Sequence, residues 1–372
     1  MRDPNSGQAF GRARLTVKTC LAVQAEQRGP PVAIARFLTQ MRPRYVFSFS
    51  YEVPMKLLTY ALTSLFLLAS TAIAELGPLA SPEQLNSELA ANSVTILDIR
   101  ATAAAEGEEN VNTFTAGHIE GSVNAPYGLF RGPSDNPGQL RSDEDLTTLV
   151  RQIGLSDLSQ PVVISYQGAN VTDFGAAARV YWTLKSLGFT ELSILNGGVN
   201  AWVEAGYSLS TDAVAPAPST LSVSIQSDWL ATVDDVQAVV SGDDTALLLD
   251  ARPENFWSGN SSHPAAARPG TLPQSQYFEH ANWFGAGPAV IDAEAVRLLA
   301  EAEGFAQNDQ LVSFCNTGHW AATNWFALSE LAGIENVKLF PESMVGWSNA
   351  GYEMANVPGP VRTLWNQIKN IF

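Results

Sequence analysis

Three separate segments of this chain occur twice, at offsets that stay between 145 and 152 residues. Thr95-Ile96-Leu97-Asp98-Ile99-Arg100 returns as Leu247-Leu248-Leu249-Asp250-Ala251-Arg252, an apolar run ending in Asp-x-Arg. Val162-Val163-Ile164-Ser165 returns as Leu311-Val312-Ser313-Phe314, each time followed by a glycine-containing loop and a helical pattern. Ala201-Trp202-Val203-Glu204-Ala205-Gly206-Tyr207 returns as Gly346-Trp347-Ser348-Asn349-Ala350-Gly351-Tyr352. A near-constant offset over three blocks is the mark of a duplicated domain. The spacing therefore predicts two units, 76–212 and 221–357. The Ala/Pro/Ser stretch 213–220 between them is too poor in large apolar residues to build a core and reads as an extended linker.

Within each half, short apolar runs alternate with helical patterns. Ser81-Pro82-Glu83 combines a cap residue, a first-turn proline and an acidic first turn. Ser142-Asp143-Glu144-Asp145 and Asp292-Ala293-Glu294 are further helix starts, and Gly333 is a stop after a helix over 321–332. Alternation of this kind predicts an α/β fold, two tandem domains each with a mostly parallel sheet flanked by helices. Ligands of such sheets bind beyond the carboxyl ends of the strands.

The chain ahead of residue 76 reads differently. Met55-Lys56 followed by an almost wholly apolar stretch from Leu57 to Ile73, then Ala72-Ile73-Ala74, has the form of a signal peptide cleaved before Glu75. An uncleaved membrane anchor is the alternative, because the run is barely long enough for a bilayer span. Residues 1–54 show no sustained period and carry eight Lys/Arg against three Asp/Glu. They are expected to be an upstream extension outside the native protein, with Met55 the true start. The mature chain is then periplasmic or secreted, with no stable membrane insertion. The formal net charge of −16 becomes −22 once residues 1–74 are removed. Such a surface repels nucleic acid and anionic lipid, so neither is an expected partner. The tail 358–372 is either a short docking helix or a frayed end.

The chain has two cysteines, Cys20 and Cys315, and only Cys315 falls in the predicted mature part. A lone thiol in an oxidising compartment forms no internal staple. Cys315 ends an apolar run and is followed by Asn316-Thr317-Gly318-His319-Trp320-Ala321. Gly318 permits an unusual backbone angle. The N–H groups from Asn316 to Ala321 are then free to point inward as an anion cradle, aided by the start of the next helix. That field favours a thiolate, and Cys315 becomes the candidate nucleophile; an inert buried cysteine is the plainer alternative. His118, His263 and His280 are too dispersed to form a zinc site, and no C-x-x-C is present.

At these residues the chain resembles the tandem-domain rhodanese family, the thiosulfate/3-mercaptopyruvate sulfurtransferases. The blocks that carry the resemblance are Leu97-Asp98-Ile99-Arg100, the run from Gly117-His118-Ile119 to Ala125-Pro126-Tyr127, Leu195-Asn196-Gly197-Gly198 with Trp202, Asp250-Ala251-Arg252, Arg268-Pro269-Gly270-Thr271-Leu272-Pro273 and the loop after Cys315. The resemblance implies a catalytic second half and an inactive first half, where Gln167 or its neighbour Tyr166 stands at the nucleophile position. It implies covalent double displacement: Cys315 takes sulfur from a small sulfur-containing anion and passes it from a persulfide to a thiol or cyanide, with ping-pong kinetics. No metal or organic cofactor is expected.

Two departures from the pattern bear on the donor. The loop carries His319 and Trp320 in place of a basic residue, and Phe256 stands where many members have a donor-binding arginine. Arg252, Arg268 and His319, with the loop residues, are the candidate replacements, although Arg252 also suits a structural pair with Asp250. Thiosulfate and 3-mercaptopyruvate remain alternative donors, and a persulfide carrier or binding module is the non-enzymatic alternative. A cysteine phosphatase is disfavoured, since no arginine occurs from 315 to 330 to clamp a phosphate.

Overall fold

The structure, a computed structural model, describes residues 76–359 apart from 110, 213, 308 and 309. The expected upstream extension, the signal segment and nearly all of the tail lie outside the described residues. The described chain forms two parallel sheets. The first contains β1 (Leu79–Ala80), β2 (Thr95–Asp98), β3 (Val123–Asn124), β4 (Val162–Ser165) and β5 (Leu192–Leu195) in the order β1-β5-β4-β2-β3. The second contains β6 (Leu247–Asp250), β7 (Gln276–Tyr277), β8 (Leu311–Phe314) and β9 (Val337–Leu339) in the order β7-β6-β8-β9. A single parallel bridge between Leu230 and Leu339 is what remains there of the edge strand that β1 supplies in the first sheet. Every residue of β4 and of β8 is buried, as parallel strands covered on both faces must be.

The register makes the duplication explicit. Asp98 pairs with Ser165 in the first sheet, and Asp250 pairs with Phe314 in the second. Ser165 and Phe314 are therefore equivalent, and Tyr166 stands where the second half has Cys315.

Local chemistry starts the helices where the sequence predicts. Ser81 and Gln84 form a reciprocal capping box on Pro82–Ala91, Ser142 caps Asp143–Gln152, and Asp292 caps Ala293–Ala302. The helix expected over 321–332 departs from a plain α-helix. It runs as α from Trp320 to Phe326 and closes with a π turn, Ala327–Leu331. The wider turn brings Glu330 to Tyr181 Oη and Lys185 Nζ, each 2.8 Å from Glu330 Oε2. The linker is not free either. Arg151 Nη2 donates to the Thr220 carbonyl at its end at 3.2 Å, and the residues that follow are held to the first domain by Arg151 Nε on the Leu221 carbonyl at 2.7 Å and Thr147 Oγ1 on the Val223 carbonyl at 3.1 Å.

The helices that follow β4 and β8, Asp173–Ser186 and Trp320–Phe326, pack against each other across the domain boundary. The first of them is buried nearly all round, from Phe174 and Gly175 to Leu184, as an apolar helix inside a core should be. A side chain at Gly175 would come within 2.9 Å of the His319 ring and carbonyl. Each sheet keeps a small apolar cluster on its outer face, while the inner faces merge into one core that includes Ile164, Phe174, Trp182, Leu249, Trp325 and Phe326. Phe174 is its hinge point, with edge-on contacts to Tyr166, Phe284 and Phe326 at 5.9, 5.7 and 5.4 Å. Truncating it removes contacts to both halves at once. Phe174→Ala is expected to destabilise the protein by about 3–5 kcal/mol. Denaturant unfolding followed by fluorescence should show a single transition displaced to lower concentration, and two separated transitions would refute the shared core.

Candidate active site

The second half presents Cys315 at the carboxyl end of β8, 1% exposed. Its loop is fastened from below. Cys315 N–H donates to Ser343 Oγ at 3.0 Å, and Ser343 Oγ donates to the Phe340 carbonyl at 2.7 Å. The carbonyls of Cys315 and Asn316 accept from the N–H groups of Met344 and Val345 at 3.1 and 3.0 Å. With these carbonyls turned toward the helix Ser343–Asn349, the N–H groups of Asn316, Thr317, Gly318 and His319 have no acceptor among the described residues. Gly318 is at φ +69, and a Cβ there would lie 2.4 Å from Arg179 Nη1 and 2.6 Å from the Pro341 carbonyl. Only glycine fits such a turn.

A buried ion pair sets the direction of the loop. Arg252, 2% exposed, donates from Nε to Asp250 Oδ1 at 2.9 Å and from Nη2 to Asp250 Oδ2 at 2.7 Å. Its remaining donors reach the Gly270 carbonyl at 2.9 Å and Asn316 Oδ1 at 3.2 Å. Asp98 and Arg100 repeat this arrangement around Gly117 and Gln167, with Nη1 to Gln167 Oε1 at 3.2 Å. The first-half position equivalent to Cys315 is filled by buried Tyr166, whose hydroxyl accepts the Gly197 N–H at 3.2 Å.

Among the other residues singled out from the sequence, Thr317 is buried in the loop and Ala321 in the first turn of the helix that follows, where its carbonyl accepts from Ser313 Oγ at 2.9 Å. Arg268 is exposed and donates to the Tyr352 carbonyl, while Arg252 is committed to Asp250 and Asn316. His319 faces the first domain. Its Nε2 lies 2.9 Å from the Thr172 carbonyl and must donate there, so Nδ1 is the acceptor of the Tyr127 hydroxyl at 3.1 Å. This tautomer is neutral. Burial foremost, then the charge of Arg131, push the His319 pKa down to about 4, against the Thr172 hydrogen bond. His118, expected to be structural, is stacked on Phe114 at 3.8 Å in the first domain. Among the described residues no cluster of three or more His, Cys, Asp or Glu is placed to share a metal ion, and no helix is long and apolar enough to cross a membrane.

The cations near the thiol come from the first domain, which the sequence reading did not anticipate. Arg179 is fully buried; Nη1 reaches toward the Gly318 carbonyl at 3.4 Å and Nη2 donates to the Gly138 carbonyl at 3.2 Å. Burial first, and Arg131 second, lower its pKa to about 9, while the negative ends of Tyr127 and Cys315 act in the opposite sense. Arg131 lies over the Tyr127 ring at 5.2 Å. Arg131 Nη1 and Arg179 Nε are buried donors without a hydrogen-bond partner among the described residues. Such donors are available to an ordered water or to an anion entering between the domains. A single arginine inside an otherwise apolar helical pattern, as in Ala176-Ala177-Ala178-Arg179-Val180-Tyr181-Trp182, is the one signal that could have pointed to Arg179; Arg131 has none.

The rhodanese-like domain family matches this chain twice, over residues 81–205 and 232–350. The chain belongs to the rhodanese-like family. Thiosulfate/3-mercaptopyruvate sulfurtransferase 2 of Arabidopsis thaliana is 24% identical over 299 residues, covering 73% of this chain and 84% of that protein. Sulfur carrier protein TtuD of Thermus thermophilus is 25% identical over 254 residues, covering 66% of this chain and 87% of that protein. The solved structure of the anaerobic ergothioneine biosynthesis enzyme from Chlorobium limicola shares the fold, with a TM-score of 0.66 at 17% identity over 77% of this chain and 72% of that one. The two rhodanese-like domains make this chain a sulfurtransferase that works through a persulfide.

Two outcomes follow from the geometry of the rhodanese-like site. Removing the Arg252 guanidinium leaves the Asp250 carboxylate buried without its partner, so Arg252→Ala should cost about 3–5 kcal/mol in chemical denaturation. His319 binds protons less readily folded than unfolded, so its contribution to stability is complete above the unfolded pKa of about 6.5 and is lost as pH falls toward about 4. His263 and His280 shift in the same direction. Melting temperature should therefore decline across that window, and His319→Gln should flatten the decline.

Proposed function

We propose that Cys315 is the nucleophile of this sulfurtransferase and that the second domain carries the reaction while the first closes it. The observation that carries this reading is the thiol at the head of a loop whose N–H groups have no acceptor among the described residues, with the Arg179 guanidinium against Gly318 of that loop. The Cys315 thiolate attacks the outer sulfur of an anionic sulfane donor. The bond holding the transferred sulfur breaks, S–S in thiosulfate and C–S in 3-mercaptopyruvate, the electron pair leaves with the departing anion (the pyruvate enolate in the second case), and the persulfide lies against the N–H groups of Asn316 to Ala321. With thiosulfate the leaving anion is sulfite. A thiol or cyanide then attacks the outer persulfide sulfur and releases the Cys315 thiolate. Neutral His319, fixed between Thr172 and Tyr127, is a positioning group in this scheme and carries neither a proton nor a charge to the substrate.

The names of relatives support two donors, thiosulfate and 3-mercaptopyruvate, and the Thermus thermophilus relative supports a second role, carriage of the sulfur to a partner protein. Export through a signal spanning 55–74, with the mature chain in the periplasm or outside the cell, belongs to the same proposal and rests on the sequence pattern alone. N-terminal sequencing of the natural protein should begin near Glu75; peptides from residues 1–54 would refute it.

The purified protein should gain one sulfur atom by intact mass on incubation with thiosulfate or 3-mercaptopyruvate and release it to cyanide as thiocyanate. Cys315→Ser should gain none. A chain with a free thiol that accepts sulfur from neither donor would overturn the enzymatic reading. One that accepts sulfur yet passes it only to a protein acceptor would favour the carrier. Arg131→Ala should raise the KM for an anionic donor by about 10- to 100-fold, the reach of one charge-assisted hydrogen bond, in initial-rate kinetics.

A further inference from the structure

A cavity of about 650 Å³ opens on the outer face of the first sheet, over the small apolar cluster that contains Ile96 and Trp202. Cys315 packs in the inner core, so this cavity is separate from the site of sulfur transfer. Its floor is Leu89, Val94 and the buried Trp202, and half-buried Tyr207 leans on that indole at 4.5 Å with the ring planes at 33°. Asn86, Asn92 and Glu120 stand exposed at the rim.

The second domain repeats this frame and spans it. Val123 pairs with Leu97 and Gln276 with Leu249, which makes Gly121 the counterpart of Gln274. Both residues have a left-handed backbone, at φ +79 and +62. Tyr352 leans on Trp347 at 4.7 Å, as Tyr207 does on Trp202. There the Gln274 side chain crosses the groove and donates from Nε2 to the Val240 carbonyl at 3.2 Å, on the helix Val233–Ser241. The matching helix of the first domain is Pro82–Ala91, which carries Asn86 and Leu89. A β-carbon at Gly121 would meet nothing within 4 Å. The first domain therefore has the groove without the strap.

The open groove discriminates by charge. Glu120 is the one charged side chain among the residues that line it, so an anion finds a carboxylate and no cation. The aliphatic and aromatic floor suits a ring, and the volume suits a small molecule. A ring that carries a protonated amine satisfies both parts. The ring lies on Leu89, Val94 and Tyr207, and the ammonium donates to Glu120 and to the amide oxygen of Asn86 or Asn92.

We propose that this cavity of the first domain is a binding site for a small aromatic amine, taken as its cation, and that Gly121 keeps it open. Glu120 selects the charge, and the floor selects the ring.

The test is a ligand-observed NMR titration of the full protein near neutral pH with phenethylamine, 2-phenylethanol and phenylacetate, which share a phenyl ring and differ in charge. Phenethylamine should bind about 2- to 5-fold more tightly than 2-phenylethanol, the scale of one exposed ion pair, and phenylacetate should bind most weakly. Glu120→Gln should erase the difference between amine and alcohol. Gly121→Gln installs the strap that the second domain accommodates at a similar backbone angle, and should abolish binding of both. It leaves the net charge unchanged, so a general attraction of cations to an acidic protein would survive it. Glu120→Gln alters an exposed side chain and decides the matter even where Gly121→Gln fails to fold. No binding of any probe, phenylacetate bound as tightly as phenethylamine, an amine preference that persists in Glu120→Gln, or amine binding that persists in folded Gly121→Gln would overturn the site.

Discussion

The buried pair of Asp250 and Arg252 is the constraint on which the site depends. A charge inside a parallel sheet is tolerable only when its hydrogen bonds are complete. Asp250 meets that condition with the Arg252 side chain, the Arg252 N–H and Thr271 Oγ1. Arg252 has donors left over, and it directs them to the Gly270 carbonyl and to Asn316. The satisfaction of one buried carboxylate thereby fixes the first residue of the Cys315 loop. The same pair in the first half fixes Gln167, yet there the neighbouring position is Tyr166, a buried ring packed on Phe174 with no sulfur to carry. Duplication kept the frame in both copies and left the reactive atom in one.

Closing the site is the work of the interface. The loop helices of the two domains pack side by side in a common core, and their approach is close enough that Gly175 meets His319 and Gly318 meets Arg179 without room for a β-carbon. Arg179 is buried by that packing, and its position next to Gly318 brings a cation to a loop whose own sequence has none. The Tyr127–His319–Thr172 chain of hydrogen bonds stitches the same boundary and keeps the imidazole neutral. The first domain, although it has no nucleophile, is thus a wall of the second domain's chemistry.

Much of this was legible in the residues. The repeated Asp-x-Arg, the two apolar runs before a loop and the Gly-Tyr ends of the Trp-containing helices announced a duplicated α/β fold, because each block is a local requirement of strand, loop or cap. Ser81, Ser142 and Asp292 placed helix starts for the same reason. The structural role of Arg252 was visible in its spacing from Asp250. The cationic partners of the site were not, since Arg131 and Arg179 lie well over 100 residues before Cys315 and nothing local ties them to it. The π turn at Ala327–Leu331 was equally hidden, because it answers to Glu330 meeting Tyr181 and Lys185 on the other domain.

By itself the sequence determined the two-fold repeat, the sheet-and-helix alternation and the single thiol at a strand end, all properties of residues near one another in the chain. Only the tertiary structure decided that Tyr166 occupies the first-half counterpart of Cys315, that His319 is neutral, and that the charge near the thiol comes from the opposite domain. Those outcomes depend on which helix faces which across a buried boundary, and burial is what sets the charge of His319 and the reach of Arg179.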